Sequence, residues 1–428
     1  MKNNWSATTH FAGFDWADDH HDIVIIDAEG AIVTDFRIAH SQAGWEQFRE
    51  RIQAYPSLAF AVETRHGLVI DQLVTSGCTV YPVHPISAAS YRKRKAPSGC
   101  KTDAIDAWAL AAALRTEGQD WKAIAPNDPQ AEQLRLLCRD EVRLIQQRTL
   151  LVNQLEATLK EYYPAAVEAF DRLTLPAAWD FILQFPTPQQ LVAAGKRRWE
   201  KFLHTHRLWR PETAGPRLEV FARADQFCCR APVTAAKSQL ALSLAHLLKT
   251  LQLQIDHYHE QIQALYRQHA NYPLFESLPG AGPLLAPRLL AELSLNPERF
   301  SDPAALQAIA GTAPVSYQSG QIHRTKIRRH CDKHLRCVLH LWTNNSRRKC
   351  GWASIYYQHK RAEGKSHACA LRCLAQRWLK IIWKMQSTHR PYDAELHQQN
   401  QLKHGSWVLT LQTVKVTQKK VVNKSEKN

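Results

Sequence analysis

The stretch FAGFDWADDHHDIVIID at residues 11–27 decides the fold, because two apolar runs flank a short polar connection. Phe11–Trp16 and Asp22–Asp27 are typical of strands, and Ala31–Ile38 predicts a third strand after the turn at Glu29-Gly30. Alternating helices and strands are then predicted at Gln42–Tyr55, Leu58–Val62, Leu68–Ser76, Thr79–Val83 and Lys101–Leu114. This element order predicts an α/β ribonuclease H-like domain over residues 10–125.

Four carboxylates lie where such a domain can bring them together. Asp15 ends the first strand, Glu63 follows the fourth strand, and Asp103 and Asp106 lie three positions apart on one helical face. Converging carboxylates favour Mg²⁺ or Mn²⁺, and two such ions can stabilise a phosphoryl transfer. Each acid also has a structural alternative: a turn residue for Asp15, a strand-end charge for Glu63 and a helix cap for Asp103.

The charge of the chain is concentrated near its C-terminal end. The 428 residues carry a net charge of +16, and residues 321–390 contain 17 Lys plus Arg against 2 Asp plus Glu. These basic residues are interleaved with tryptophans and tyrosines, a pattern that indicates nucleic-acid binding. A membrane-surface helix is the competing interpretation. No apolar run is long enough to span a bilayer, and MKNNWSATTH contains no signal core, so a cytoplasmic protein without a membrane partner is expected.

The cysteines show no disulfide framework, and a cytosolic chain keeps them reduced. A zinc site built from Cys369, Cys373, His367 and Cys350 is conceivable, but the spacing fits no common zinc pattern well.

Residues 126–270 are predicted to form a helical spacer. Gln130–Tyr163 and Leu240–Leu265 carry leucines at helical or near-heptad spacing, so the two segments could form an antiparallel coiled coil or mediate self-association. Between them, residues 176–232 are rich in Pro, Trp and Arg and are interpreted as an irregular insertion. This insertion could be a cap or a lobe that contacts nucleic acid.

A mostly helical C-terminal domain is predicted over residues 271–390. Leu278–Gly282, followed by a helix, is similar to a helix-hairpin-helix motif, in which Gly280 and Gly282 would turn backbone N–H groups towards phosphate. A plain helix–helix turn is the alternative. Phe300–Gly311 predicts a short helix, and residues 391–428 are interpreted as a polar basic tail. From Gln401 onward this tail is expected to be disordered or to add nonspecific affinity.

Within this domain, Ser319 stands beside Gly320 in the run GTAPVSYQSGQIHRTKIRRHCDKHLR at residues 311–336. A serine hydroxyl needs activation to act as a nucleophile, and cationic surroundings suit a phosphodiester because charge develops on phosphate oxygens. A Ser-Gly turn beside a solvated basic helix is the structural alternative. The nucleic-acid-binding residues predicted around this serine are Gly320, Arg324, Lys326, Arg328, Arg329 and Arg336.

Taken together, these motifs resemble the DEDD-type transposases of the bridge-RNA-guided insertion-sequence family over residues 11–383. The matching motifs are GFDWA around Asp15, VET around Glu63, KTDAIDA with Asp103 and Asp106, LPGAGP at residues 278–283 and GTAPVSYQSG at residues 311–320. Asp18 and Asp19 stand where relatives often have a lysine, and Gln321 stands where many have a second glycine.

The resemblance implies a RuvC-like domain, a coiled-coil spacer and a C-terminal transposase domain. It implies that the four carboxylates bind Mg²⁺ and that Ser319 attacks DNA to form a covalent phosphoserine intermediate. A structured guide (bridge) RNA would pair with donor and target DNA. The family further implies a homo-oligomer, dimer or tetramer, with composite active sites.

Two other functions remain open at this level. One is a two-metal nuclease of the Holliday-junction-resolvase type that attacks with water, in which Ser319 only positions the backbone. The other is an inactive nucleic-acid-binding scaffold.

Overall fold

The computed structural model describes residues 5–64, 67–95, 102–124, 128–170, 172–294, 300 and 302–408. The chain divides into two compact units, Met1–Pro126 and Asn127–Asn428. Across the described ranges, each helix is too short or too polar to cross a membrane.

The first unit is built on a five-stranded mixed sheet in the order β3-β2-β1-β4-β5. Strand β1 pairs antiparallel with β2 and parallel with β4, so the sheet changes direction at β1. The strands are β1 His10–Trp16, β2 His20–Ile26, β3 Ile32–Ala39, β4 Leu58–Val62 and β5 Thr79–Pro82. The helices are α1 Gln42–Ile52, α2 Leu68–Thr75, α3 Pro85–Lys95 and α4 Asp103–Glu117. A mixed sheet with this element order confirms the predicted α/β class and is consistent with a ribonuclease H-like domain.

The two faces of the sheet bury separate apolar clusters. On one face Ala12 and Phe14 pack with Trp45 and Phe48 of α1. On the other face Phe11 packs with the alanine-rich α4. Alternate residues of a strand point to opposite faces, so a single strand supports both clusters.

Gly13 allows α4 to lie directly on β1. A Cβ atom built on Gly13 would stand 1.7 Å from the carbonyl oxygen of Ala107, far inside any real contact. The missing side chain therefore sets the distance between the strand that carries Asp15 and the helix that carries Asp103 and Asp106.

The sequence also predicts a basic loop before α4, either phosphate-binding or solvated, formed by Arg92, Lys93, Arg94, Lys95 and Lys101, but its first four residues are helical. Arg92 and its basic neighbours belong to α3, which starts at Pro85 and contacts α4. Proline fits the first turn of a helix, where its missing N–H has no partner to lose. Lys101 and the Pro97–Gly99 loop lie outside the described residues.

The second unit begins with two long helices, α5 Pro129–Tyr162 and α10 Ala231–Gln268, which pack side by side. Glu161 pairs with Lys237, Arg148 Nη1 donates to Gln252 Oε1 at 2.6 Å, and His259 Nδ1 lies 3.5 Å from Glu141 Oε1. Partners advance along one helix as they retreat along the other, so the pair is antiparallel.

Residues 176–232, interpreted above as irregular, are mostly helical. Four helices follow α5 and precede α10: α6 Pro164–Glu168, α7 Pro176–Gln184, α8 Pro188–Thr205 and α9 Pro211–Ala222. Each has proline in its first turn, so the prolines start helices rather than break them. Phe181, Phe202 and Phe221 pack together in the core of this lobe.

The rest of the second unit is a helical domain with one small hairpin. Its elements are α11 Tyr272–Glu276, α12 Gly282–Leu293, α13 Pro303–Ile309, β6 Val315–Ser319, β7 Ile322–Lys326, α14 Lys333–Lys349, α15 Gly351–Ala362, α16 His367–Thr388 and α17 Ala394–Lys403. Trp342 and Trp378 are fully buried in its core.

Buried ion pairs join this domain to the long helix α5. Arg139 pairs with Glu292 at 2.8 Å and with Asp332 at 3.3 Å, while Arg288 pairs with Glu141 at 2.8 Å. Buried charges of this kind are stable only as pairs, so the contacts fix the position of α5 on α12 and α14.

The tail predicted over residues 391–428 is partly folded. Helix α17 lies within it, the Trp407 ring packs at a tilt against Tyr356 of α15 with the ring centroids 5.4 Å apart, and Val408 is buried. The prediction of disorder from Gln401 onward is therefore wrong for residues 401–408, and residues 409–428 lie outside the described chain.

Candidate active site

A row of three charged side chains crosses the sheet at one end of β1. Asp15 pairs across the strands with Asp22, and Asp22 pairs with Arg37 of β3. Directly opposed residues on neighbouring strands point to the same face. Because Gly13 and Asp15 share the face that packs on α4, this row lies beside the start of that helix.

The start of α4 supplies the other predicted helical acids. Thr102 is the N-cap residue, and its Oγ1 accepts a hydrogen bond from the Ile105 N–H at 3.3 Å. Asp103 is therefore not the cap, which removes the structural alternative considered for it. Asp103 and Asp106 lie in the first turn, where the helix dipole stabilises negative charge.

All four predicted acids line one cleft of about 390 Å³, called here the acid cleft. Its lining residues are Asp15, Trp16, Ala17, His20, Asp22, Glu63, Pro85, Ala89, Arg92, Asp103 and Asp106. Strand ends and a helix start thus converge as the sequence predicted.

The acids of the cleft act on one another electrostatically. The pKa of Asp15 is raised to about 7, first by burial and then by the negative charges of Asp106, Asp103, Glu63 and Asp22, in that order. A partly buried carboxyl group that is surrounded by other carboxylates, with no metal ion among them, keeps its proton up to near-neutral pH. The raised pKa is the response expected of ligands gathered for a cation.

Several cationic side chains already contact these acids. Arg92 Nη1 donates to both carboxylate oxygens of Asp106 at 3.0 and 3.2 Å, and Arg37 holds Asp22 through two bonds of 2.9 and 3.1 Å. Arg37 also lies 3.6 Å from Asp103 Oδ2. His20 Nε2 lies 3.5 Å from Asp22 and 3.7 Å from Asp103.

Sequence reasoning did not select His20, Asp22 or Arg37 as site residues. The signal that could have found them is the strand register, since a hairpin from Asp15 to Asp22 places the two acids opposite each other. Arg92 was noted only as part of a basic loop.

The chemistry of this donor set fits a divalent cation. Carboxylate oxygens are the ligands that hard cations prefer, and a DEDD-type domain uses divalent metal. Within the part of the chain that the structure describes, His20, Asp22 and Asp103 bring one ligand atom each within 4.8 Å of one another. The described cysteines are free thiols, and His367 Nδ1 is hydrogen-bonded to Tyr357 at 2.7 Å.

Ser319 lies on an exposed hairpin of the second unit, the serine hairpin, formed by β6, β7 and the two-residue turn Gly320-Gln321. Ser319 is the last residue of β6 and pairs with Ile322. Gly320 has φ of +56°, the left-handed conformation that such a turn favours. Both strands are exposed along their whole length, so the hydroxyl is accessible.

The predicted basic residues around Ser319 divide into two groups. Arg324 and Lys326 lie on β7 and are exposed, as is Arg329. Arg328 and Arg336 instead hold the base of the hairpin: Arg328 Nε donates to the Ala313 carbonyl at 3.4 Å, and Arg336 Nη1 donates to the Arg328 carbonyl at 3.2 Å.

The two glycines predicted to face phosphate also differ. Gly280 packs against the helix α14, because a Cβ atom there would stand 3.0 Å from the backbone of Asn345. Gly282 begins α12 with φ of +57°, and a Cβ atom there would meet nothing within 4 Å. The close approach of Gly280 is to the chain itself, and the open surface lies at Gly282.

The chain matches two family models that lie in the two halves of the architecture. One, described as "Transposase" (DEDD_Tnp_IS110), covers residues 12–164, and the other, described as "Transposase IS116/IS110/IS902 family", covers residues 272–358. The first contains the acid cleft and the second contains the serine hairpin.

Similar proteins extend over nearly the full chain. The putative transposase of the IS117 mini-circle of Streptomyces coelicolor is 31% identical over 399 residues, which is 90% of this chain and 96% of that protein. An uncharacterized 44.8 kDa protein of insertion element IS116 from Streptomyces clavuligerus is 27% identical over 385 residues, or 88% and 94% of the two chains. An uncharacterized 42 kDa protein of IS900 from Mycobacterium paratuberculosis is 28% identical over 397 residues, or 89% and 96%.

Mixed sheet, acid cleft and motif matches together define a DEDD-type transposase, an enzyme of DNA recombination whose substrates are DNA. The chain belongs to the IS110 family of transposases.

Proposed function

We propose that this transposase is guided by a structured bridge RNA and that it cleaves and exchanges DNA strands through a covalent phosphoserine formed on Ser319. The observation that carries the proposal is the acid cleft, in which Asp15, Glu63, Asp103 and Asp106 line one space. The exposed serine beside Arg324 and Lys326 supports it from the second unit. The reaction acts on donor and target DNA in the prokaryotic cytoplasm.

Asp15, Glu63, Asp103 and Asp106 would hold Mg²⁺ or Mn²⁺ in this proposal. Bound there, the ion supplies positive charge to the phosphate oxygens on which negative charge develops. Arg92 and Arg37 keep the acids in place, since each guanidinium bridges two carboxylate oxygens of its partner.

The covalent step exchanges one phosphoester for another. Ser319 Oγ forms a bond to phosphorus as the bond from phosphorus to the departing sugar oxygen breaks. The serine gives up its hydroxyl proton and the departing oxygen gains one, so atoms and charge balance. Attack by a sugar hydroxyl of the partner strand reverses the step and restores the serine, without ATP.

Ser319 and the acids belong to different units of the chain. We place them in composite active sites, in which the acids of one subunit meet the serine of another in a dimer or tetramer. The antiparallel pair α5 and α10 is the candidate coiled-coil spacer for this assembly, since heptad-like leucines such as Leu247 are exposed on it. The turn at Gly282 is the candidate helix-hairpin-helix contact to a DNA backbone.

A covalent-adduct assay tests the proposal. Full-length protein with its co-purified RNA is incubated with labelled DNA carrying the ends of the element and Mg²⁺, then denatured and resolved by gel. We expect a labelled adduct that Ser319→Ala abolishes and that Ser316→Ala retains. Cleavage by Ser319→Ala at the normal rate would instead support a resolvase-type nuclease that uses water.

RNA guidance is tested separately. Nuclease treatment of the bound RNA should abolish site-specific cleavage, and the native transcript should restore it. Site-specific cleavage that persists after RNA removal would contradict the guided mechanism. An Asp106→Asn variant that keeps all cellular function would favour an inactive scaffold.

A further inference from the structure

The strand register of the serine hairpin sorts its side chains into two faces of different chemistry. Opposed pairs Val315–Lys326, Tyr317–Arg324 and Ser319–Ile322 share one face, called here the Ser319 face. The opposed pairs Ser316–Thr325 and Gln318–His323 share the other. One face therefore carries an aromatic ring and two cations beside the serine, and the other carries neutral polar groups and a histidine.

A direct contact supports this assignment. Lys326 Nζ lies 4.3 Å from the centroid of the Tyr317 ring, so both side chains occupy the same side of the hairpin. Diagonal neighbours on paired strands are within reach of long side chains. Tyr317 is nonetheless 48% exposed, so its side chain is accessible to a further partner.

We infer that the Ser319 face is a stacking platform for a single DNA strand, with Tyr317 stacked on a base next to the phosphate that Ser319 attacks. This inference rests on the proposed function and adds to it a positioning residue for the substrate. Arg324 and Lys326 bind the phosphates on either side of that nucleotide.

The geometry fits a single nucleotide step. Tyr317 and Ser319 are two positions apart on β6, and a strand rises about 3.3 Å per residue. The ring and the hydroxyl thus lie about 7 Å apart along the strand and project to the same side. A strand whose backbone passes Ser319 can lay the neighbouring base on the ring. Exposed Val315 and Ile322 extend the apolar surface beneath the sugar and base.

Charge selects a nucleic acid rather than another protein as the occupant. In residues 311–336 the single acid is Asp332, which caps α14 and pairs with Arg139 at 3.3 Å. Its charge is therefore compensated, whereas Arg324 and Lys326 point into solvent. Aromatic rings among exposed cations are the pattern of single-strand binding, because every base has a face that can stack.

Binding of a labelled single-stranded DNA 30-mer to the full-length chain, measured by fluorescence anisotropy, tests the inference. Tyr317→Ala should weaken binding about 5- to 100-fold, the range found when a stacking aromatic is removed. Tyr317→Phe should stay within about twofold because the ring is kept. Gln318→Ala and Thr325→Ala, on the opposite face, should also stay within about twofold.

A position-specific readout sharpens the result. 2-Aminopurine placed at successive positions of the strand is quenched where it stacks, and Tyr317→Ala should remove that quenching while Tyr317→Phe preserves it. Circular dichroism checks that each variant folds, as expected for exposed hairpin positions.

The inference is overturned if Tyr317→Ala binds DNA as the wild type does, or if the opposite-face variants lose as much. It is also overturned if Tyr317→Ala weakens only an RNA 30-mer, or only self-association. Ser319→Ala should bind the 30-mer normally yet form no adduct. An adduct formed by Ser319→Ala would refute Ser319 as the nucleophile. The proposal that the Ser319 face stacks on a base is tested only by the binding data.

Discussion

The acid cleft and the serine hairpin differ in how firmly the surrounding structure holds their side chains. The acids are fixed by core packing: β1 lies against α4, and arginines hold Asp22 and Asp106. The serine stands on two strands that are exposed throughout and that carry only their own pairing. In the proposed reaction, acids that hold one cation need close placement, whereas a serine that carries the DNA strand covalently joined to it needs freedom to move.

The largest effect is expected on catalysis in the acid cleft. Asp106→Asn removes one of the charges proposed to hold the metal and should lower DNA cleavage more than about 100-fold, since even residues that only support metal ligands cost about 10- to 100-fold. Asp35→Asn, an exposed acid on β3, is the matched control and should cleave normally. Cleavage rates with element-end DNA measure both, and equal rates would remove Asp106 from the active site.

Packing is tested next, at Gly13. Gly13→Ala forces a methyl group towards the Ala107 carbonyl, so we expect a loss of unfolding free energy of about 3 kcal/mol and a large loss of cleavage. Chemical denaturation of the full-length chain measures the loss of unfolding free energy. Unchanged stability and activity would show that α4 can shift without consequence.

The third prediction concerns pH and Asp15. Its folded pKa, about 7, is raised above the ordinary value of 3.8, so its contribution to stability is present below pH 3.8 and is lost as pH rises through 7. Asp15→Asn should therefore stabilise the metal-free protein at pH 8, by on the order of 3 kcal/mol, and much less at pH 5. Thermal melts at both pH values, in chelator, measure it. A stabilisation equal at both would contradict the electrostatic cause.

The smallest effect is expected at the hairpin turn. Gly320 has positive φ and open space around it, so Gly320→Ala adds only conformational strain of about 1 kcal/mol, and Gly320→Asn adds less because Asn tolerates this region. Denaturation should detect little, while adduct formation by Ser319 should fall more for Ala than for Asn. A collapse of global stability in either variant would show that the hairpin is part of the core.

The first unit was predictable from the sequence because its signals are local. Apolar runs gave all five strands within one or two residues, and two acids at strand ends plus two acids on one helical face gave four lining residues of the cleft. Asp22 and His20 were missed because they can be recognised as site residues only when the pairing register of β1 and β2 is known. The amino-acid sequence alone does not give that register. Arg92 was missed as a partner of Asp106 because its basic run was interpreted as a loop, either phosphate-binding or solvated, rather than as a helix.

The second unit was harder to predict because a proline can either begin a helix or interrupt regular structure. Pro176, Pro188 and Pro211 each begin a helix, yet the same residues suggested irregular structure. The start of a helix depends on what it packs against, here a core around Phe181, which a single sequence does not display. The serine hairpin was anticipated only as a turn, because its strands lack the apolar alternation of buried sheet.

The glycine at position 13, whose side chain is a single hydrogen atom, limits how the acid cleft can be redesigned. Because α4 rests on the bare backbone of β1, the spacing between the two acid-bearing elements is already at the atomic minimum and cannot be tightened. A designer who wants this cleft to accept a larger ion must therefore change residues other than Gly13, because a methyl group there would cost both stability and cleavage. Selecting a smaller ion must instead proceed by exchanging carboxylates, for example between aspartate and glutamate at positions 63 and 103.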